Sequence, residues 1–276
     1  MYKILKKQTL NEQVKLMVID APLIAKKAQA GQFVMLRVDD KGERIPLTIA
    51  DFDRDAGTVT IIFQEVGKTT LQLGALNEGD SLADFIGPLG KPSHFGENVK
   101  KAAVIGGGLG TAIAYPQAKK LNSMGVEVTS ITGFRNKDLI LLEDEMRAVS
   151  SKLIIMTDDG SNGNKGFVTD ALKKEIESGE KFDLVVAIGP LVMMKFVSRM
   201  TREYGIKTLI SMNPIMIDGT GMCGGCRVTV GGKIKFACVD GPDFDGHEVD
   251  FDEAMRRQTM YKKQEEHSCK LYQGVR

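Results

Sequence analysis

Residues 102–111 read Ala102-Ala-Val-Ile105-Gly106-Gly107-Gly108-Leu109-Gly110-Thr111. The apolar run Ala102–Ile105 predicts a buried strand, and Thr111 to Met124 predicts the helix that follows it. Glycines fill the turn between them. Backbone without Cβ lets a pyrophosphate approach closely, and a helix start offers free amides and the positive end of its dipole. Gly106, Gly107, Gly108, Gly110 and Thr111 are therefore candidate dinucleotide ligands. The plain alternative is an ordinary glycine-rich turn.

Strand and helix go on alternating downstream. Val126–Thr132, Leu153–Thr157, Leu184–Ile188 and Lys207–Met212 are expected strands. Leu141–Val149, Val168–Glu177 and Leu191–Tyr204 are expected helices. Such alternation predicts a doubly wound parallel sheet over 99–211, the pyridine-nucleotide-binding α/β domain. Gly189-Pro190, after the Leu184–Ile188 strand, joins the candidate ligands. An NAD site usually places Asp or Glu after the second strand, on the ribose. Here that strand ends Thr132-Gly-Phe-Arg135, and Asp158-Asp159-Gly160-Ser161 follows the third. Either Arg135 takes a 2′-phosphate, as in NADP(H), or Asp158 and Asp159 take a ribose diol, as in NAD(H). Two carboxylates would repel a 2′-phosphate, which favours NAD(H).

Upstream, residues 1–98 are β-rich. Short segments at Val14–Ile19, Gln32–Val38, Leu47–Asp51, Thr58–Phe63 and Ser81–Ile86 are separated by turn signals such as Asp-Asp-Lys-Gly at 39–42. Their spacing predicts a small antiparallel β-barrel, with a short helix at Thr69–Ala75. Arg44-Ile-Pro46-Leu47-Thr48-Ile49 can hold a diphosphate and a flavin ring. Gly67-Lys68-Thr69-Thr70, ahead of the short helix, could add amides and hydroxyls to the pyrophosphate of FAD. Either motif alone could be an ordinary surface. Their order, barrel first and glycine-rich α/β domain second, is what gives them weight.

The remainder, 212–276, carries three of the four cysteines in one glycine-rich loop: Asp218-Gly-Thr-Gly-Met-Cys223-Gly-Gly-Cys226, then eleven residues, then Cys238. The plant-type [2Fe–2S] spacing is C-x4-C-x2-C…C. Asp218 stands in its first position. Structural zinc usually takes two such knuckles or Cys/His pairs, and here there is one knuckle with His247 nearby. The expected ligands are Asp218, Cys223, Cys226 and Cys238, with Cys269 as the alternative fourth. Gly231-Gly232 predicts a tight hairpin between Val228–Val230 and Lys233–Ala237. From Phe251 on, a helix that then frays is expected.

The chain has 276 residues, 26% of them charged, and a net charge of +1. That balance gives no case for nucleic acid or an anionic membrane. The longest nearly apolar run, Leu184–Met194, is too short to span a bilayer. MYKILKKQTL lacks a signal-peptide core, and clustered cysteines suit a reducing cytoplasm.

Barrel, nucleotide segment and C-terminal cysteine loop together resemble the ferredoxin–NADP reductase superfamily. Within it the chain is most similar to the electron-transfer subunit of dihydroorotate dehydrogenase and its relatives. Arg44–Thr48, Gly87-Pro-Leu-Gly90, Gly106–Gly110 and Asp158–Ser161 carry the resemblance over essentially the whole chain. The dihydroorotate branch has a cysteine where Asp218 stands. An aspartate with three cysteines looks like the small subunit of NADH-dependent ferredoxin:NADP oxidoreductase and of sulfide dehydrogenase. The resemblance implies a subunit that carries FAD and the cluster, takes electrons from NADH, and docks on a larger flavin and [4Fe–4S] subunit related to the small subunit of glutamate synthase. Ferredoxin would act through that complex by electron bifurcation. Hydride transfer would fall to FAD, with no catalytic side chain. A docking face is expected beside 215–240, exposing Met216, Ile217 and Met222. Rival expectations are a self-sufficient diaphorase, and a non-enzymatic binding module stapled by zinc or a cluster.

Overall fold

The computed structural model describes residues 2–274. Its first layer is built from β1 (Tyr2–Thr9), β2 (Val14–Asp20), α1 (Pro22–Ala25), β3 (Phe33–Arg37), β4 (Arg44–Asp53), β5 (Thr58–Gln64), α2 (Lys68–Ala75), β6 (Ser81–Leu82) and β7 (Asp84–Leu89). The strands form an antiparallel sheet in the order β6-β1-β2-β5-β4-β3-β7. Its two edge strands, β6 and β7, are separated in sequence only by Ala83, so the sheet curls into a nearly closed barrel. Period-2 burial drives this: Met17 and Ile19 on β2, and Val59, Ile61 and Phe63 on β5, all point into one core. β1 carries no period-2 signature in its sequence because Ile4 is its one buried side chain among lysines. β4 starts at Arg44, three residues before the expected strand, so the whole Arg44–Ile49 motif is extended backbone. The expected strand at 81–86 is broken at Ala83.

The second layer runs β8 (Lys101–Gly107), α3 (Gly110–Ser123), β9 (Glu127–Phe134), α4 (Glu143–Ala148), β10 (Lys152–Thr157), α5 (Val168–Glu177), β11 (Leu184–Ile188), α6 (Leu191–Glu203) and β12 (Lys207–Ser211). Its sheet order is β10-β9-β8-β11-β12, all parallel. The central strands are buried on both faces, as continuous apolar runs should be when helices cover both sides. The strand order reverses between β8 and β11, and in such open sheets the ligand crevice lies beyond the carboxyl ends at that point. The expected helix at 141–149 is shorter, and a 3-10 turn at Lys137–Leu139 precedes it.

The last segment holds the hairpin β13 (Arg227–Val230) and β14 (Lys233–Phe236), α7 (Ala237–Asp240), β15 (Asp243–Asp245), α8 (Phe251–Gln258) and α9 (Lys262–Gly274). β15 joins the second sheet antiparallel to β12, pairing Leu209 with Asp245 and Ser211 with Asp243. Three residues of which two are acids, between Pro242 and Gly246, carry no strand signature, and only tertiary pairing creates this one. The C-terminal part does not fray after α8. α9 continues to Gly274 and packs against α2 of the barrel. Among the described residues no helix is long and apolar enough to cross a membrane.

Candidate functional site

The two phosphate-type motifs of the barrel lie together. Thr69, buried at the start of α2, sends its hydroxyl to Glu43 at 3.4 Å, immediately before Arg44. Arg44 Nη2 reaches Asp84 at 3.1 Å, and Arg37 Nε holds the same oxygen at 2.8 Å. The Arg44 guanidinium, with Arg37 behind it, holds the Asp84 carboxyl below the usual carboxylate range. Thr70 is already engaged: its hydroxyl takes the Gly67 amide at 3.0 Å and caps α2. Ile45, Pro46, Leu47 and Thr48 are all half-buried, a strip of strand left partly open.

At the crevice of the second sheet, the glycines are required by close approach. A Cβ on Gly110 would meet the Ile188 carbonyl oxygen at 2.4 Å. One on Gly189 would come within 3.1 Å of Gly107. The β8–α3 turn and the β11–α6 turn, with Pro190 beside Gly107, thus form one floor. Thr111 on that floor is fully buried, and its Oγ1 has no partner among the described residues. Such an orphaned hydroxyl fits a ligand approaching the start of α3. The alternatives for the ribose end prove to be neighbours. The Asp158 amide donates to Phe134 and the Asp159 amide to Arg135, at 3.0 and 3.3 Å. Arg135, Asp158 and Asp159 are all exposed. The Ser161 hydroxyl and amide hold the Asp159 carboxyl below its ordinary range.

In the cysteine loop, Cys226 and Cys238 are buried with sulfurs 3.2 Å apart. Cys223 is exposed, and the Gly225 amide approaches its sulfur at 3.4 Å. Asp218 folds back on its own loop, accepting from the Thr220 hydroxyl at 2.7 Å and from the Thr220 and Met222 amides at 3.0 Å. Among the described residues, no three of these side chains are drawn together as a metal-ligand group. Cys269 lies elsewhere in sequence, half-buried on α9.

Gly219 brings the loop to the barrel. Its φ is +82°, and a Cβ there would strike Met35 Cγ at 2.6 Å. Met35 on β3 pairs in register with Pro46 on β4. The cysteine loop therefore rests on β3, the strand paired with the one that carries the flavin-type motif.

The profile of the iron–sulfur cluster binding domain of dihydroorotate dehydrogenase B matches residues 213–250. A Thermotoga maritima homolog of the dihydroorotate dehydrogenase B (NAD(+)) electron transfer subunit is 48% identical over 98% of this chain and 95% of its own length. The Fusobacterium nucleatum dihydroorotate dehydrogenase B (NAD(+)) electron transfer subunit is 34% identical over 80% of this chain and 87% of its own. This chain belongs to the dihydroorotate dehydrogenase B electron-transfer subunit family. A solved structure of NADH-dependent reduced ferredoxin-NADP oxidoreductase, studied for flavin-based electron bifurcation, contains a chain that superposes with a TM-score of 0.93. That chain is 46% identical, and the match covers 99% of this chain and 98% of that one. The protein is thus an electron-transfer subunit of an oxidoreductase with the ferredoxin–NADP reductase fold.

For a family of electron-transfer subunits, the donor chemistry of the 218–238 loop fits an iron–sulfur cluster. Three thiols lie within sixteen residues, and amides approach the sulfurs of Cys223 and Cys226. Two residues that matter here went unnoticed in the sequence. Asp243 on β15 accepts from Ser93 Oγ at 2.5 Å and from Gln117 Nε2 at 3.1 Å. It so ties the barrel-to-sheet connection, α3 and the cysteine segment together. Arg257 on α8 donates to the Gly225 carbonyl at 3.0 Å. Neither sits in a motif, so no local pattern could have found them. Of the expected docking side chains, Ile217 and Met222 are exposed, but Met216 is buried in the core. Met216 faces inward because the loop turns over at the Asp218 hydrogen bonds just beyond it.

Proposed function

We propose that this subunit holds FAD on the barrel, NAD(H) in the crevice and a [2Fe–2S] cluster in the 218–238 loop, and passes electrons between NADH and a larger partner. That partner is a flavin and [4Fe–4S] subunit, within an electron-bifurcating NADH-dependent ferredoxin:NADP oxidoreductase. The observation that carries this reading is the approach of Gly219 to Met35 on β3, the strand paired with the flavin-type strand β4. Bound FAD would accept hydride and release single electrons, and the cluster would relay them. The chain's own residues bind and orient. Arg44 neutralises the diphosphate, leaving Asp84 to Arg37. Lys68 and the Gly67–Thr69 backbone lie at the start of α2, where anions are favoured. Gly106, Gly107, Gly108 and Gly110 let the second pyrophosphate reach the start of α3, and Thr111 offers it a hydroxyl. Gly189 and Pro190 form the facing wall. Asp158 and Asp159 take the ribose diol and set the preference for NADH over NADPH. Asp218, Cys223, Cys226 and Cys238 ligate the cluster.

Aerobically purified protein tests this directly. Its absorption spectrum should show flavin bands with a red-brown iron–sulfur shoulder, and dye reduction should be faster with NADH than with NADPH. A colourless zinc protein would rule out the electron-transfer assignment. A preference for NADPH that disappears in Arg135→Ala would reverse the nucleotide assignment alone.

A further inference from the structure

Arg257 lies in the last turn of α8, outside every motif in the sequence. Its Nη2 donates to the Gly225 carbonyl at 3.0 Å. Gly225 stands between Cys223 and Cys226, and its own amide faces the Cys223 sulfur at 3.4 Å. The carbonyl that Arg257 takes belongs to the peptide that begins Cys226. The Cys226 sulfur then meets the Cys238 amide at 3.5 Å and the Cys238 thiol at 3.2 Å. One guanidinium is thus bonded to the short knuckle that joins two thiols and backs onto the third.

The charge is uncompensated. Among the described residues Arg257 forms no ion pair with a carboxylate. Its Nε is buried without a partner. It borders a cavity of about 40 Å³ whose wall is mainly apolar, with Asn213, Arg227 and Gln258 among its polar members, and among the described residues no Asp or Glu lines it. Arg257 is half-buried, and a partly desolvated cation acts on a nearby charge more strongly than one in water. The neighbouring Arg256 is exposed, on a different side of the same helix.

We propose that Arg257 is a positioning residue for the [2Fe–2S] cluster, fixing the Cys223–Cys226 knuckle through Gly225 and favouring the reduced state with its charge. This rests on the assignment of Cys223, Cys226 and Cys238 as ligands. Reduction adds one electron, delivered from NADH through the flavin, and makes or breaks no bond to the protein. The site gains one negative charge, which a fixed cation nearby stabilises.

The test is an EPR-monitored redox titration of the holoprotein, paired with hydrogen exchange on the apo-protein. Arg257→Gln should lower the equilibrium constant for cluster reduction about tenfold, a downward midpoint shift of about 59 mV for one electron. Arg257→Lys, which keeps the charge, should recover most of that shift. Arg256→Gln should move the midpoint by clearly less. In the apo-protein, Arg257→Gln should speed amide exchange at 223–226, because the Gly225 carbonyl loses its donor. An unchanged midpoint in Arg257→Gln overturns the proposal, and so does an equal drop in Arg256→Gln, which would reduce the effect to net charge. If Arg257→Gln takes up no cluster, the apo-protein decides, and unchanged exchange at 223–226 overturns it. Wild-type protein that takes up no [2Fe–2S] cluster overturns the ligand assignment itself, and that failure is visible before any variant is made.

Discussion

At the scale of single residues, the side chains that join parts of the molecule are more telling than those inside motifs. Asp243 is the sharpest case. Its carboxylate is closed off, with Oδ1 buried and unpartnered, while Oδ2 serves Ser93 and Gln117. Burial pushes the Asp243 carboxyl above its ordinary range, and the hydrogen bonds from Ser93 and Gln117 pull it back only in part. Between the unfolded and folded pKa values, the folded protein therefore keeps a proton that the unfolded chain has lost. Its contribution to stability is complete below about pH 4, the ordinary aspartate value, and is lost as pH rises through the folded value. Asp243→Asn keeps an acceptor for Ser93 and Gln117 but cannot ionise. Melting curves across pH 4–8 should therefore show a flatter decline in the variant than in the wild type, with the variant at least as stable near neutrality. A variant whose decline parallels the wild type would mean that Asp243 is not the titrating group.

At the scale of elements, the turn from β8 into α3 works because two glycine-bearing turns share one floor. The Gly110 position has no room for Cβ, since the obstruction is the Ile188 carbonyl, a backbone atom that cannot rotate away. Gly110→Ala should cost about 1–3 kcal/mol, as overpacking does. The Tm should fall by roughly 3–10 °C. NADH affinity should drop with it, whereas flavin content should not, because the barrel sheet lies within residues 2–89. Calorimetry and flavin absorbance on the same sample check both halves. Flavin loss in step with the fall in Tm would show that the two sheets are not independent at this turn.

At the scale of the whole molecule, the cysteine segment is a bridge. It adds β15 to the second sheet, sends Gly219 into the barrel at Met35, and leaves Ile217, Met222 and Ile234 exposed on its outer side. Exposed apolar side chains beside the cysteine loop suit a docking face for the partner proposed above. Ile234→Glu, on the hairpin and away from every assigned ligand, should weaken association ten- to a hundredfold, about 1.4–2.8 kcal/mol. NADH-driven dye reduction by the isolated subunit should be unaffected. Association measured by sedimentation or by co-purification of the coexpressed subunits decides it. Unchanged association would place the interface elsewhere on the surface.

The sequence by itself determined the two sheet classes and most of their strands, because those follow from burial period and glycine turns, which are local. It also pointed to the cysteine loop, since metal ligation needs donors at short spacing. It missed β1, where lysines hide a single buried isoleucine, and β15, which exists only because β12 offers an edge. It expected Met216 outside, where the fold of the loop turns it in. It left Arg135 against Asp158 and Asp159 as alternatives, and only the parallel pairing of β9 and β10 makes them neighbours. The Met35 contact, the Asp243 junction and the hold of Arg257 on Gly225 were decided by tertiary structure alone. Each joins residues far apart in the chain, and no local pattern encodes a contact made only when separate layers pack together.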